Sequence, residues 1–95
     1  MRVFEVIDKT GREIYLPPKQ WKHILMRHPY MLQYIEEIRE TLKNPDRIEY
    51  SDSDKAYYYK RYKYLKLPNR FVLVIVKYKN GEGFVITSYL EERIK

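Results

Sequence analysis

The 95-residue sequence contains no cysteine, three glycines and one tryptophan. Without cysteine the chain can form no disulfide, no zinc–thiolate site and no thiolate nucleophile. Its longest apolar run, Phe71–Val76, is far shorter than the roughly 20 residues that a membrane-spanning helix needs. The N-terminal segment has no apolar region typical of a signal peptide. We therefore expect a cytoplasmic protein that does not bind a membrane.

Metal-binding and nucleotide-binding signatures are also missing. The sequence has no H-x-x-x-H pair and no His–carboxylate cluster, and Ser51–Asp54 lacks the glycine and the distal glutamate of a calcium loop. It contains no P-loop, no GxGxxG and no G-x-S-x-G, and Asn80-Gly81 is typical of a hairpin turn. The sequence therefore predicts neither a metal site nor a cofactor.

Positive charge is concentrated in the second half of the chain. Residues 1–54 carry nine Lys or Arg against ten Asp or Glu, whereas residues 55–95 carry ten against three, which together give the net charge of +6. Between Lys55 and Arg70, six basic residues and five tyrosines occur with no acidic residue. Cationic side chains neutralise phosphates and aromatic rings stack on unpaired bases, so this segment is typical of a surface for single-stranded nucleic acid. The alternative is a solvated basic strand that resists aggregation.

The pattern of apolar residues predicts a single α+β domain, residues 1–95. Apolar and polar residues alternate on both sides of the turn Asp8–Gly11, which indicates an N-terminal β-hairpin. After Pro29, apolar residues recur at spacings of four, three and four, which indicates a helix. The predicted elements are a hairpin over 2–8 and 12–16, helices over 18–28 and 31–43, and strands over 47–50, 56–64, 71–78 and 84–90. We expect the hairpin and two helices to pack on an antiparallel meander of about four strands, with 71–78 as a central strand buried on both faces.

Both histidines lie in the stretch WKHILMRHPY, residues 21–30. At about 100° per residue, His23 and Arg27 share a polar helix face, whereas His28 lies in the same sector as Trp21. The two imidazoles are about 140° apart, which argues against a simple acid–base pair. His28 is expected near the helix C-terminus, whose partial negative charge favours imidazolium. The structural alternatives are an exposed His23 and a capping or half-buried His28.

Two later strands offer phosphate-binding groups. In the last strand, a period of two puts Thr87 and Tyr89 on the exposed face, where their hydroxyls can bind phosphate oxygens, although both are also ordinary strand residues. The more apolar face, expected to meet the helices, carries Phe84, Ile86, Ser88 and Leu90. In the basic strand each face carries a cation beside tyrosines, so either Lys60 or Arg61 can stabilise a pentacoordinate phosphorane.

The order of these motifs resembles the small phage-type nucleases of the barnase–EndoU–colicin–RelE-like (BECR) fold. The similarity begins with W-x-H-I-x-x-R-H-P at 21–29 and continues through L-x-N-P-D-x-I at 42–48 and the tyrosine-rich basic strand. It closes with V-I-T-S-Y at 85–89. The resemblance implies metal-independent RNA cleavage, often by a toxin or a prophage effector.

Carried onto this chain, the resemblance implies a site built from the first helix, the basic strand and the last strand. The catalytic candidates are His23, Arg27, His28, Lys60 or Arg61, Thr87 and Tyr89. The candidates for RNA binding, taken from the basic segment, are Lys55, Tyr59, Arg61, Lys63 and Arg70. Tyr30 departs from the family pattern, because it stands where that family usually carries an acid.

The leading hypothesis is an endoribonuclease that cleaves RNA by 2′-hydroxyl transesterification, with one imidazole as general base or acid. The products would be a 2′,3′-cyclic phosphate and a 5′-hydroxyl. The alternative is a non-catalytic basic module that binds single-stranded RNA or DNA through the surface between Lys55 and Arg70.

A third interpretation is an interaction domain whose basic face binds an acidic partner, such as an antitoxin or immunity protein. The same partner is compatible with a nuclease, because an intracellular nuclease normally needs restraint.

Overall fold

The computed structural model describes residues 1–51 and 53–94, which form two α-helices and one six-stranded sheet. In chain order the elements are β1 (Phe4–Ile7), β2 (Glu13–Leu16), α1 (Pro18–Arg27), α2 (Ile35–Lys43), β3 (Arg47–Tyr50), β4 (Lys55–Arg61), β5 (Phe71–Lys79) and β6 (Glu82–Glu91). A 3₁₀ turn, Pro29–Tyr34, joins the helices. The predicted α+β architecture is confirmed. No helix in this part of the chain is long and apolar enough to cross a membrane.

The strand order across the sheet is β1-β2-β6-β5-β4-β3. Strands β3 to β6 form the predicted antiparallel meander, with β5 between β4 and β6. The hairpin joins the same sheet because β2 pairs in parallel with the first residues of β6, Glu13–Tyr15 against Glu82–Phe84. The rest of β6 pairs with β5 alone among the described strands, and α1 packs against β6.

A bulge in β6 changes which face its side chains occupy. The strand's Val85 and Thr87 pair with consecutive residues of β5, so Ile86 is an extra residue. Before the bulge the predicted alternation is wrong, because Val85 is fully buried in the core and Phe84 meets the ring of Tyr15 on the other face. After the bulge, Thr87 and Tyr89 lie on the face away from the helices, as predicted.

The core lies between the helices and one face of the sheet, where apolar stripes of both meet. Its largest fully buried side chains are Ile14, Leu16, Ile24, Met31, Ile38, Leu42, Tyr58, Val72, Val74, Val76 and Val85. We call the opposite face of the sheet the open face. From the strand register, it carries Arg47 and Glu49 of β3, Lys55, Tyr57, Tyr59 and Arg61 of β4, Phe71, Leu73, Ile75 and Lys77 of β5, and Thr87, Tyr89 and Glu91 of β6.

A buried carboxylate ties the hairpin to the centre of the sheet. Asp8, 5% exposed, accepts hydrogen bonds through Oδ1 from the backbone of Thr10 (2.9 Å), from the Thr10 hydroxyl (2.7 Å) and from the backbone of Arg12 (2.9 Å). Its Oδ2 accepts one from the hydroxyl of Tyr58, which lies 2.6 Å from the hydroxyl of Tyr78. Burial, together with the hydrogen bond to Asp8, raises the pKa of Tyr58. The buried charge is therefore well supplied with donors.

Replacing Tyr58 with Phe removes one of these donors from the buried carboxylate. We expect Tyr58→Phe to lower the free energy of unfolding by about 1–3 kcal/mol, the cost of an unsatisfied buried polar group. Tyr57→Phe, at the half-buried neighbouring position on the open face, should change it by less than about 0.5 kcal/mol. Urea denaturation of both variants measures the difference, and equal effects would rule out a stabilising network.

Candidate active site at the edge of the open face

His28 stands at the junction between α1 and the 3₁₀ turn. Its backbone is non-helical, with φ −135° and ψ 71°, and its N–H donates to the carbonyl of Ile24 at 2.6 Å. Pro29 follows, and proline disfavours the helical conformation at the preceding residue. The carbonyl of His28 then accepts from the N–H of Met31 at 2.9 Å, which starts the turn. The sequence His-Pro therefore ends α1 and holds the imidazole, half-buried, at the helix end.

The imidazole of His28 is held between two tyrosines. Its ring stacks on that of Tyr89, with centroids 5.0 Å apart and planes inclined by 29°. The hydroxyl of Tyr30 lies 3.3 Å from Nδ1. Within residues 1–51 and 53–94 no protein group binds the other ring nitrogen, Nε2. The arrangement therefore holds the ring through its face and through Nδ1.

Burial and neighbouring cations lower the pKa of His28. Desolvation of the half-buried ring is the largest cause, followed by the positive charges of Arg27 and His23. The direction of this shift is opposite to the one expected from a helix C-terminus, which by itself favours imidazolium. The neutral ring suits a general base better than a general acid at neutral pH. Both Arg27 and His23 have exposed side chains on α1.

The strand register separates the two cations between which the sequence could not choose. Lys60 lies on the helix side of β4, where its Nζ donates to the carbonyl of Asn44 at 2.9 Å and lies 3.9 Å from the carboxylate of Asp46. It thus interacts with the C-terminal end of α2, where a cation is favoured. Arg61 is exposed on the open face, the face that also carries Tyr89.

Tyrosines form the centre of the open face. The register aligns Tyr59, Leu73 and Tyr89 across three neighbouring strands, and Tyr57 and Thr87 lie in the next row. Among the described residues no helix covers this face, yet Tyr59 is only 3% exposed and Leu73 only 1%. The large side chains of this face therefore cover one another.

The second half of the predicted basic strand is a loop that leaves the sheet. Strand β4 ends at Arg61, whereas a strand was predicted to continue to residue 64. The hydroxyl of Tyr62 donates to the carbonyl of Glu37 at 2.9 Å, and that of Tyr64 donates to the Glu37 carboxylate. These contacts turn the chain toward α2. The predicted RNA-binding residue Lys63 is exposed within this loop, whereas Lys55 lies on the open face.

A family profile, PBECR3, matches residues 4–95 and is described as phage-Barnase-EndoU-ColicinE5/D-RelE like nuclease3. The chain belongs to this family. The PBECR3 match confirms the resemblance based on the His-Pro segment and the closing V-I-T-S-Y, and it supports a nuclease- or toxin-type function with a nucleic acid as substrate. Comparisons with curated proteins and with solved structures give no significant match.

Two features of the site were missed by sequence reasoning. In the sequence Tyr30 stands out only as a departure from an acidic residue, yet its hydroxyl lies 3.3 Å from Nδ1 of His28. The spacing His-x-Tyr around a proline, which starts a tight turn, is the signal that could have indicated this contact. The carboxylates of Glu49 and Glu91 beside the tyrosines were also missed, because cross-strand neighbours depend on register. In the described part of the chain, no three His, Asp or Glu side chains lie close enough to hold a metal ion.

We expect the pKa of His28 to lie below its ordinary value of 6.5. Arg27→Gln should raise this pKa, because the loss of a nearby positive charge makes protonation less costly. Lys22 lies on the same helix, but its charge is not among the causes of the shift at His28. Lys22→Gln should therefore leave the pKa of His28 unchanged. Titration of the imidazole Cε1–H resonance by NMR measures all three values.

The same shift has a consequence for stability. Because the unfolded chain binds this proton more tightly than the folded chain, protonation of His28 favours unfolding as the pH falls below about 6.5.

Two NMR results would contradict this electrostatic account of His28. One is a pKa above 6.5 in the wild-type protein, and the other is an equal change of the pKa in Arg27→Gln and Lys22→Gln.

Proposed function

We propose that this protein is a metal-independent endoribonuclease that cleaves single-stranded RNA by transesterification. The 2′-hydroxyl attacks the adjacent phosphorus and the bond to the 5′-oxygen breaks, which leaves a 2′,3′-cyclic phosphate and a 5′-hydroxyl. The observation that carries the proposal is the imidazole of His28 with its lowered pKa, stacked on Tyr89 at the edge of an aromatic and basic surface. Membership of a nuclease family supports it.

In this mechanism His28 is the general base. Its neutral Nε2 takes the proton of the 2′-hydroxyl, while the leaving 5′-oxygen takes a proton from water. Arg27 on α1 and Arg61 on the open face stabilise the additional negative charge of the phosphorane. The hydroxyls of Thr87 and Tyr89 donate hydrogen bonds to the phosphate oxygens. The hydrogen bond between Nδ1 and Tyr30 holds the ring in position while the proton is transferred.

The open face binds the RNA on either side of the scissile phosphate. The half-buried Tyr57 offers aromatic surface for unpaired bases, whose stacking is tolerant of sequence. The predicted RNA-binding residue Tyr59 is not part of this contact, because it is only 3% exposed and its ring cannot stack on a base. Lys55 and Arg61 lie on the same face of β4 and neutralise phosphates, and the loop that follows adds Lys63 and Arg70. The same positive surface suits an acidic antitoxin or immunity protein, which would compete with RNA for it.

Cleavage tests the assignment of His28. With EDTA in every reaction, His28→Ala should reduce the rate at least roughly a hundredfold, the lower end of the usual contribution of a general base. His23→Ala should cost less than about tenfold, since His23 is exposed and acts on His28 only through its charge. The readout is the 2′,3′-cyclic phosphate product, with circular dichroism to confirm that both variants fold. Loss of activity in His23→Ala alone would refute the assignment.

The same assay decides between an enzyme and a binding module. Binding of single-stranded RNA that weakens steeply with salt, with no cleavage product from the wild-type protein, would favour the non-catalytic module.

Arg61 and Lys60 form a matched pair of adjacent cations. Arg61→Gln should weaken RNA binding and reduce the salt slope by about 1, as expected for one lost phosphate contact. Lys60→Gln should leave RNA binding unchanged and lower the free energy of unfolding by about 0.3–1 kcal/mol, the value of a cation at a helix C-terminus. Fluorescence anisotropy over a salt series and urea denaturation measure the two effects. The reverse pattern would assign the phosphate contact to Lys60.

A further inference from the structure

The bulge in β6 places an aromatic ring on the open face, at the end of the sheet away from His28. Because Ile86 is an extra residue, Phe84 lies on the open face instead of in the core. There it meets Tyr15 of β2, with ring centroids 6.1 Å apart, and both side chains are half-buried. Bulges are frequent beside functional sites, where they redirect a side chain, so this aromatic pair is a possible binding surface.

Two adjoining cavities open beside Phe84. Their volumes are about 510 Å³ and about 380 Å³. Lys79, Asn80 and Phe84 line both cavities, while Lys77 lines only the first and Tyr15 only the second. Volumes of about 300–1,000 Å³ are usual for small-molecule sites, so each cavity has room for part of a nucleotide.

The charges of the cavities favour a phosphate at the first one. It carries Lys77 and Lys79 against the carboxylate of Asp54, whereas the second carries Lys79 against Glu82. Both lysines are exposed, and neither forms an ion pair within residues 1–51 and 53–94. Since the two are separated by one residue on β5, their side chains leave the same face and can neutralise one anion together.

Phe84 is the ring that remains available for stacking. The guanidinium carbon of Arg2 lies 3.7 Å from the centroid of the Tyr15 ring and so covers one face of that ring. The same arginine donates to Glu13 at 3.1 Å, which holds it there. Among the described residues no cation covers Phe84. Tyr15 therefore supports Phe84 from the side, and Phe84 faces the cavities.

This aromatic pair and the candidate active site lie along the same strands. In the register of β5 and β6, Phe84 is opposite Lys77 and Tyr89 is opposite Leu73. The two positions on β5 are four residues apart, a distance of about 14 Å along the strand. A few nucleotides of an extended single strand span this distance. A strand bound at His28 and Tyr89 can therefore reach Phe84 along the open face.

We propose that Phe84, supported by Tyr15, stacks on a nucleobase a few nucleotides away from the cleaved bond, while Lys77 and Lys79 bind an adjoining phosphate. Stacking tolerates every base, so this distal site sets no sequence preference. It favours single strands over duplexes, whose bases are already stacked. This inference rests on the proposed ribonuclease activity, for which it specifies the length and the form of the substrate.

The length of the substrate tests the distal site. DNA oligonucleotides with one ribonucleotide are extended nucleotide by nucleotide, on the 5′ side in one series and on the 3′ side in the other. When one flank reaches Phe84, KM should fall at least roughly fivefold, as expected for one stacked base. The value of kcat should stay constant, because a remote contact binds the ground state and the transition state equally.

Three substitutions test whether the aromatic ring causes this fall. Phe84→Leu keeps an apolar side chain without an aromatic face, so it should abolish the dependence on length, whereas Phe84→Trp should preserve it. Phe71→Leu is the matched control, because Phe71 is also half-buried on the open face but lines neither cavity. It should preserve the ratio of KM between short and long substrates. Circular dichroism checks that each variant folds.

Binding of 2′-fluoro RNA, which lacks the attacking hydroxyl, gives a readout that does not require cleavage. For strands long enough to reach Phe84, Lys77→Gln should reduce the salt slope by about 1, as expected for one lost phosphate contact. For strands too short to reach it, the slope should be that of the wild-type protein. Fluorescence anisotropy over a salt series measures both.

The outcomes separate the two proposals. Cleavage with the same KM for short and long substrates, or a fall in KM that survives Phe84→Leu, overturns the distal site and leaves the ribonuclease intact. Binding that strengthens with length and is weakened by Phe84→Leu, without cleavage of any oligonucleotide, supports the distal site and overturns the ribonuclease. Equal affinity of the wild-type protein for short and long 2′-fluoro strands overturns the distal site even if Phe84→Leu fails to fold.

Discussion

The short parallel pairing between β2 and the start of β6 determines where the candidate site can form. Only Glu82–Phe84 of β6 pair with β2, so the following residues have a strand neighbour on one side alone among the described elements. Helix α1 packs against β6, and its last turn brings His28 onto the ring of Tyr89. A longer β2 would cover this edge and separate the helix end from the open face.

Desolvation gives the histidine its chemical character. A helix C-terminus by itself favours imidazolium, and the sequence suggested that state for His28. Packing against Tyr89 removes water from the ring, and Arg27 and His23 add positive charge nearby, so the pKa falls. The fold thus disfavours the protonated form of the imidazole that the helix end alone would favour. In the tautomer that leaves Nε2 to act as the base, Nδ1–H donates to the hydroxyl of Tyr30, which adds no negative charge that would raise the pKa of the ring.

The two faces of the sheet carry different kinds of side chains. On the helix face, Asp8 and Tyr58 form a buried polar network amid aliphatic side chains, and Lys60 interacts with the end of α2. The open face instead carries tyrosines, basic residues and the carboxylates of Glu49 and Glu91. Adjacent residues of β4 therefore lie in different surroundings, one in the core and the next on the open face, because successive strand side chains point to opposite faces. This alternation explains how one tyrosine-rich strand serves both the core and the proposed RNA surface.

The sequence by itself determined the element order, the end of α1 at His-Pro and the exposed face of Thr87 and Tyr89, since these follow from proline chemistry and local periodicity. It also carried the family resemblance. Only the tertiary structure decided that β2 runs parallel to β6, that a bulge at Ile86 exchanges the faces of the residues before it, and that Arg61 rather than Lys60 shares a face with Tyr89. These features depend on register and on contacts between distant segments, which local patterns do not encode.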